Sequence, residues 1–148
     1  MRIAAALLAM TVAASAETPG VQNDARAKMN WLLSCQGCHQ QDASGSAGGA
    51  PSMVGEVARF LSVEGGREYL TRVPGVANAG VSDEQLAELL NWTLATFDRE
   101  HLPAEFAPFT AEEISAGRAR PLVGEAPILR EALRKKFPAE RASAGGRD

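Results

Sequence analysis

The chain has 148 residues, of which 22% are charged and 5% aromatic, and its formal net charge is −3. The charge is unevenly divided: residues 17–117 carry 6 basic and 14 acidic side chains, whereas residues 118–148 carry 8 basic and 4 acidic. An acidic body with few aromatic side chains is not the composition of a nucleic-acid-binding protein. The segregation predicts that the basic C-terminal part docks on an acidic surface, its own or that of a partner.

The first 16 residues have the pattern of a secretory signal peptide. Arg2 precedes an apolar run rich in Ala and Leu, and Ala14-Ser15-Ala16 matches a small-x-small cleavage site. The apolar run is too short for a membrane-spanning helix, and no later stretch is long and apolar enough to be one. We expect cleavage after Ala16, export to the periplasm, and a mature chain large enough for one domain.

Residues 17–23 are polar and are predicted to be a loosely held leader. A first helix is predicted from Asn23 or Asp24, either of which can cap it, to about Ser34. Helical spacing predicts an apolar face for this helix, with Trp31 near its edge; the face comprises Met29, Leu32 and Leu33.

The next five residues, Cys35-Gln36-Gly37-Cys38-His39, spell C-x-x-C-H, the attachment signal for a c-type haem. Two thiols at this spacing can each add to one vinyl group of the same porphyrin edge, and the adjacent imidazole can supply the proximal iron ligand. A redox dithiol would need a βαβ context, and a zinc site would need more ligands than this chain has, since its only other histidine is His101. The motif predicts one haem c attached through Cys35 and Cys38, with His39 on the iron.

Residues 40–50 are rich in Gly, Ser and Ala and predict a loop, which ends in Ala50-Pro51-Ser52-Met53-Val54-Gly55. A glycine-rich loop followed by a P-x-L-x-G-like element resembles the class I cytochromes c, with Met53 in place of the leucine. The resemblance covers roughly residues 24–97. It implies an all-α, small cytochrome c fold of three to four core helices around one haem, in which the Pro51 carbonyl accepts a hydrogen bond from His39.

Residues 57–61 predict a short helical segment, which Gly65-Gly66 ends. Residues 67–73 predict another short helix, which Pro74-Gly75 ends. This second helix resembles the G-R-x-Y-L segment of many cytochromes c, which implies that Arg67 pairs with a haem propionate and that Tyr69 hydrogen-bonds one. A surface arginine and a half-buried tyrosine are the alternatives.

The strongest predicted helix runs from Ser82 to Phe97. Ser82 and Gln85 predict a capping box at its start, and Leu86, Leu89, Leu90, Thr93, Leu94 and Phe97 follow helical spacing. By resemblance, Trp92 and this apolar stripe pack against the N-terminal helix, as the C-terminal helix of a class I cytochrome c does.

The resemblance ends at Phe97. Residues 98–108 predict an extended connection, Thr110 opens a capped helix through about Arg118, and residues 128–137 predict a last amphipathic helix. We divide the chain into a signal peptide (1–16), a leader (17–23), a cytochrome core (24–97), an extension (98–137) and a tail predicted to be disordered (138–148). The extension is expected to wrap the core, to shield the haem edge or to dock a partner.

The chain departs from the family at the sixth iron ligand. Class I cytochromes c take a methionine from the loop before the last core helix, and here that loop, residues 73–81, contains none. Met53 is the predicted ligand, because it follows a flexible loop and its soft sulfur suits low-spin haem iron. The alternatives are that Met53 only packs on the porphyrin, that His101 binds the iron, or that the sixth position is open, with Asn78 near it.

These features predict a periplasmic monohaem cytochrome that transfers single electrons and is not itself an enzyme. It would act as a soluble carrier or as the cytochrome subunit of a dehydrogenase. Its partners would be redox proteins, namely a periplasmic dehydrogenase, an oxidase or another cytochrome. The alternative is an open-site haem protein that binds a small ligand or does peroxide chemistry, although no histidine or arginine is obviously placed as a distal acid or base.

Overall fold

The computed structural model describes residues 17–139, so the predicted signal peptide and nearly all of the predicted tail lie outside the described residues. Within this range the chain is all-α, as predicted, and forms no strand. Its α-helices are α1 (Asp24–Ser34), α2 (Gln36–His39), α3 (Gly66–Arg72), α4 (Pro74–Ala77), α5 (Asp83–Phe97), α6 (Ala111–Arg118) and α7 (Ala126–Arg134), and two 3₁₀ helices span Ala58–Ser62 and Arg99–His101. No helix in the described range is long and apolar enough to cross a membrane.

Helix α1 has the predicted bounds but buries a different face. The side chain of Asn23 caps it by accepting a hydrogen bond from the backbone N–H of Arg26 at 2.9 Å. Ala27 and Trp31, one turn apart, are buried against the core. The predicted apolar face is wrong, because residues 27 and 31 are the ones that pack on the rest of the protein. The three residues of the predicted face, Met29, Leu32 and Leu33, are exposed.

An aromatic cluster joins α1 to α5, which confirms the predicted packing of these two helices. The ring of Trp31 lies 4.6 Å from that of Phe97 and 6.2 Å from that of Trp92, both in tilted arrangements that aromatic pairs favour. The indole N–H of Trp92 donates to Asp24 Oδ1 at 2.8 Å. These contacts hold α1, and with it the start of the C-x-x-C-H motif, against α5.

Helix α5 is buried on every side, which differs from the one-sided stripe predicted from its sequence. Every residue from 86 to 95 is buried, and these include Glu88 and Asn91. Helix α1 covers one side of α5, and α6 covers another. Phe109 and Ile114 of the extension are themselves almost completely buried. The extension therefore contributes part of the hydrophobic core.

Two prolines begin helices in this structure. Pro74, predicted to end a helix, opens α4, and Pro127 lies in the first turn of α7. Proline suits these positions because the first-turn N–H has no partner within the helix. The last helix consequently begins and ends slightly earlier than predicted. The capping box at Thr110 forms with both of its hydrogen bonds, whereas the cap of Ser82 on α5 is a single bond at 3.3 Å.

The basic extension docks on acidic side chains of the same chain. Arg130 and Arg134 of α7 both pair with Glu56, and the Arg134 Nε–Glu56 Oε1 distance is 2.6 Å. Arg118 pairs with Asp83 at the start of α5 at 2.7 Å. The charge segregation predicted docking either on the chain's own acidic surface or on that of a partner. In the described residues the extension docks on the chain's own acidic side chains.

The first prediction concerns Asn91, whose amide joins α5 to the extension. Its Oδ1 accepts from the Phe109 N–H at 2.8 Å, and its Nδ2 donates to the Phe109 carbonyl at 3.1 Å. Asn91→Leu would leave both buried backbone groups unpaired, so we expect the free energy of unfolding to fall by about 2–4 kcal/mol. Urea unfolding measures this change, with Thr96→Ala, an exposed residue near the C-terminal end of α5, as control. Equal unfolding midpoints for the two variants would contradict this role of Asn91.

The second prediction concerns Glu88, which ties the leader to α5. Its carboxylate accepts from the N–H groups of Gln22 at 2.9 Å and Asn23 at 2.8 Å, and from Arg26 Nε at 2.7 Å. Burial raises the pKa of Glu88, but the hydrogen bonds from Arg26 and from the two backbone groups outweigh it, so the pKa lies below its ordinary value. The folded state therefore favours the ionised form.

A carboxyl group with a lowered folded-state pKa stabilises the fold above its ordinary pKa, and this stabilisation is lost as the pH falls through the folded-state value. We expect Glu88→Gln to lower the unfolding free energy at pH 7 and to make its decline on acidification shallower. Urea midpoints measured from neutral pH down to about pH 3, below the ordinary pKa of Glu, test this. Glu84→Gln, an exposed residue in the first turn of α5, is the control, and parallel curves for wild type and Glu88→Gln would refute the expectation.

Candidate haem site

The C-x-x-C-H motif lies on a helical turn that follows directly on α1. The N–H of Cys35 donates to the Trp31 carbonyl at 2.9 Å, and the N–H of His39 donates to the Cys35 carbonyl at 3.0 Å. Residues three and four apart on such a turn share a face. Cys35, Cys38 and His39 therefore lie on one side of it. Both cysteines are free thiols, Cys35 half-buried and Cys38 exposed.

The environment of Cys35 argues against a redox dithiol. Burial raises the pKa of the Cys35 thiol to about 11, and the neighbouring Cys38 adds to the shift. A reactive dithiol needs the opposite shift, because the thiolate is the nucleophile. At neutral pH Cys35 therefore favours the thiol form, which is the less nucleophilic one.

The imidazole of His39 has one nitrogen engaged and one left over. Its Nδ1 lies 3.0 Å from the Pro51 carbonyl oxygen, and since a carbonyl only accepts, Nδ1 must carry the proton and donate it. Burial lowers the pKa of His39, which the hydrogen bond to Pro51 opposes in part. The neutral ring is thus favoured, with the lone pair on Nε2. This is the tautomer that a metal ligand needs.

The glycine-rich loop brings Pro51 to His39. The N–H of Gly45 donates to the His39 carbonyl at 2.9 Å, and the N–H of Met53 donates to the Ala43 carbonyl at 2.9 Å. Gly45 has a φ of +73°, and a Cβ on it would lie 2.4 Å from the Ala50 carbonyl oxygen. Only glycine fits there. The loop can therefore turn back within a dozen residues and present the Pro51 carbonyl to the ring.

Several half-buried apolar side chains pack on the buried core and keep part of their apolar surface exposed. Apolar surface of this kind suits contact with a porphyrin face. They come from the motif, the loop after it, the first 3₁₀ helix, and the segment before α5, and include Cys35, Met53, Leu61, Val73, Val76, Ala79 and Val81.

Trp31, predicted to lie near the edge of the apolar face of α1, is a part of the site. Its ring is almost completely buried and lies 6.2 Å from that of His39, tilted by 39°. It therefore supports the imidazole from the side of α1 and α5. Its position four residues before Cys35, one helical turn, was the signal that could have identified it.

Arg67 and Tyr69 have other contacts than the sequence predicted. The guanidinium of Arg67 donates to Glu113 Oε1 at 2.6 Å and to the Pro108 carbonyl at 3.0 Å, and it lies 4.0 Å from the centre of the Phe109 ring. Tyr69 is buried and stacks on Phe60 with ring centres 5.0 Å apart. Arg67 thus binds the extension, and Tyr69 packs in the core. Contacts of either side chain with a haem propionate, as predicted from the sequence, would have to form beside these.

Comparison with known proteins finds two relatives, both of them c-type cytochromes. The chain is 37% identical over 106 residues to cytochrome c-552 of Thermus thermophilus, an alignment that covers 60% of this chain and 81% of the relative. A second cytochrome c-552, from a particular strain of Thermus thermophilus, gives the same identity over 72% of its length. No family model matches the chain. No solved structure matches it.

The fold and the site define a small all-α protein built to hold a c-type haem. Two free thiols and an imidazole with its Nε2 lone pair available are the donor set that this group requires, and they lie on one turn. The chain belongs to the c-type cytochromes. When bound, haem c supplies a one-electron iron couple.

The third prediction separates the two roles of Arg67. If Arg67 mainly holds the extension, Arg67→Leu should lower the unfolding free energy by about 1 kcal/mol, because its ion pair with Glu113 is partly exposed, and should leave the reduction potential unchanged. Urea unfolding and redox titration of the haem-loaded protein measure the two quantities. Arg99→Leu, an exposed arginine, is the control. A shifted potential with unchanged stability would restore the propionate role.

Proposed function

We propose that the chain holds one haem c through thioether bonds from Cys35 and Cys38, with His39 as its proximal ligand, and transfers single electrons in the periplasm. Action in electron transfer follows from its membership of the c-type cytochromes. The observation that carries the residue assignment is the bond from His39 Nδ1 to the Pro51 carbonyl, which leaves Nε2 free beside two thiols on the same turn.

A rigid proximal side supports single-electron transfer. The imidazole is held by the Pro51 carbonyl on one side and by the ring of Trp31 on another. A ligand that keeps its position when the iron changes charge contributes little to the reorganisation that accompanies electron transfer. The hydrogen bond also raises the basicity of the ligand, which tunes the reduction potential.

The surface near the motif supports docking of a redox partner. Leu33 is 77% exposed, and Met29 and Leu32 beside it are also exposed on the outer face of α1, close in sequence to Cys35. Outside this face the body of the chain is acidic, with 14 acidic against 6 basic residues from 17 to 117. A partner with a basic surface, such as a periplasmic dehydrogenase, an oxidase or another cytochrome, would be steered toward it.

The protein would serve as a soluble carrier or as the cytochrome subunit of a dehydrogenase. The basic residues of the extension that pair with Glu56 and Asp83 are used within the chain, which favours the carrier. Periplasmic export rests on the signal-peptide pattern of residues 1–16.

The fourth prediction tests the attachment. Cys35→Ala with Cys38→Ala should abolish covalent haem, so that no haem remains with the chain on a denaturing gel, whereas each single variant should retain a weaker attachment. Gly37→Ala is a control within the motif, because a Cβ there meets no atom within 4 Å, and it should keep its covalent haem. Covalent haem in the double variant would refute the proposal.

A further inference from the structure

We infer that no side chain of residues 17–139 supplies the sixth iron ligand opposite His39, and that an apolar wall formed by α4 and residues 79–81 leaves there a pocket for a small uncharged ligand such as carbon monoxide or nitric oxide. The inference rests on the proposed haem site. It replaces Met53, the ligand predicted from the sequence, by an exogenous molecule.

Met53 lies on the wrong side of the site. Pro51 accepts a hydrogen bond from the ring nitrogen that is not available to iron, so it lies behind the imidazole. Met53 follows two residues later, at most about 7 Å of chain. Its N–H donates to the Ala43 carbonyl at 2.9 Å, which holds it in the same loop, and its half-buried side chain packs on the core there. A sixth ligand must reach the iron from the opposite face of the porphyrin.

His101 is also held on the side of this loop. Its Nδ1 lies 2.5 Å from Asp98 Oδ1, and the other oxygen of Asp98 accepts from the Ala58 N–H at 2.7 Å. The Gly55 N–H, two residues after Met53, donates to the carbonyl at the end of α5 at 3.1 Å. The segment that carries His101 is thus bound to the chain that follows Met53.

Met29 and Tyr69 are also excluded by their positions. Met29 is 53% exposed on the outer face of α1, on the opposite side of the helix from the buried Trp31. Tyr69 stacks on Phe60, and burial raises the pKa of its phenol, which keeps it neutral. The other methionines of the sequence fall in the predicted signal peptide, and residues 140–148 contain no histidine, cysteine or methionine.

The loop after Pro51 is bound to the C-terminal end of α5 through the Gly55 N–H, whereas the segment between α3 and α5 leads into the other end of that helix. We therefore place the wall on this segment. It presents half-buried apolar side chains, namely Val73, Val76, Ala79 and Val81. Arg118 of the extension holds this segment from behind by donating to the carbonyls of Ala79 and Val81, the latter at 2.9 Å, and by pairing with Asp83. The wall therefore has a fixed position and no donor atom for iron.

The chemistry of this wall selects the class of ligand. Residues 73–82 contain no ionisable side chain, and the amide Nδ2 of Asn78, an exposed residue, donates to the Pro74 carbonyl at 2.9 Å. An anionic ligand would lose its hydration without gaining a partner, whereas an uncharged diatomic ligand loses little. Peroxide chemistry would need an acid or base, which this wall does not offer. The pocket therefore favours carbon monoxide or nitric oxide on the reduced protein.

The fifth prediction tests this pocket with carbon monoxide as the probe. The reduced haem-loaded protein should show a five-coordinate, high-spin optical spectrum and should become low-spin as carbon monoxide is added. Met53→Leu should keep the five-coordinate, high-spin spectrum, because Met53 is not an iron ligand. Ala79→Met should place a sulfur on the open side, give a low-spin spectrum without added ligand, and weaken carbon monoxide binding about tenfold or more, because the internal ligand must first leave.

Two results would overturn the inference. One is a six-coordinate, low-spin wild-type spectrum that becomes high-spin in Met53→Leu, which would make Met53 the ligand. The other is a low-spin wild-type spectrum that persists in Met53→Leu, which would assign a different side chain, with His101→Gln as the next variant. Covalent haem on a denaturing gel is scored in the same samples, so failure of attachment, which would refute the proposed function, is distinguished from failure of the pocket. Val76→Met serves as a second variant if Ala79→Met does not fold.

Discussion

The hydrogen bond from His39 to the Pro51 carbonyl is the interaction on which the rest of the site depends. It sets the tautomer of the imidazole and so decides which nitrogen can meet a metal. The bond exists because the glycine-rich loop turns back at Gly45, where a side chain would collide with the backbone of Ala50. The Pro51 carbonyl lies on the side of the ring away from Nε2, and Met53 follows Pro51 by two residues in the same loop.

The extension has a structural role that its position after the cytochrome core does not suggest. It buries the side of α5 that α1 leaves uncovered, and Asn91 and Phe109 exchange two hydrogen bonds across the contact. Gly117 of α6 lies so close to α3 that a Cβ on it would be 2.4 Å from the hydroxyl of Thr71. A chain of this size with few aromatic residues has a small core, and the extension enlarges it. Through Arg118 it also fixes the segment before α5.

Charge segregation in the sequence has a counterpart in the fold. The arginines of α7 meet Glu56 at an interface where Glu56 and Arg130 are mostly buried, so these pairs are screened less than surface ion pairs. Their contribution to stability is limited by the cost of removing both charges from water, and their clearer effect is to set where α7 lies. The acidic residues left on the body are then the ones available to a partner.

The sequence by itself determined that two thiols and an imidazole lie within one turn, because C-x-x-C-H places them there and needs no distant residue to do so. It also determined α1, α5 and the Thr110 cap, because capping and helical spacing are local. Tertiary structure alone decided which face of α1 is buried and that Arg67 binds Glu113. Both depend on segments that meet across 40 or more residues, and helical spacing cannot distinguish a face that packs on a neighbour from one that faces solvent.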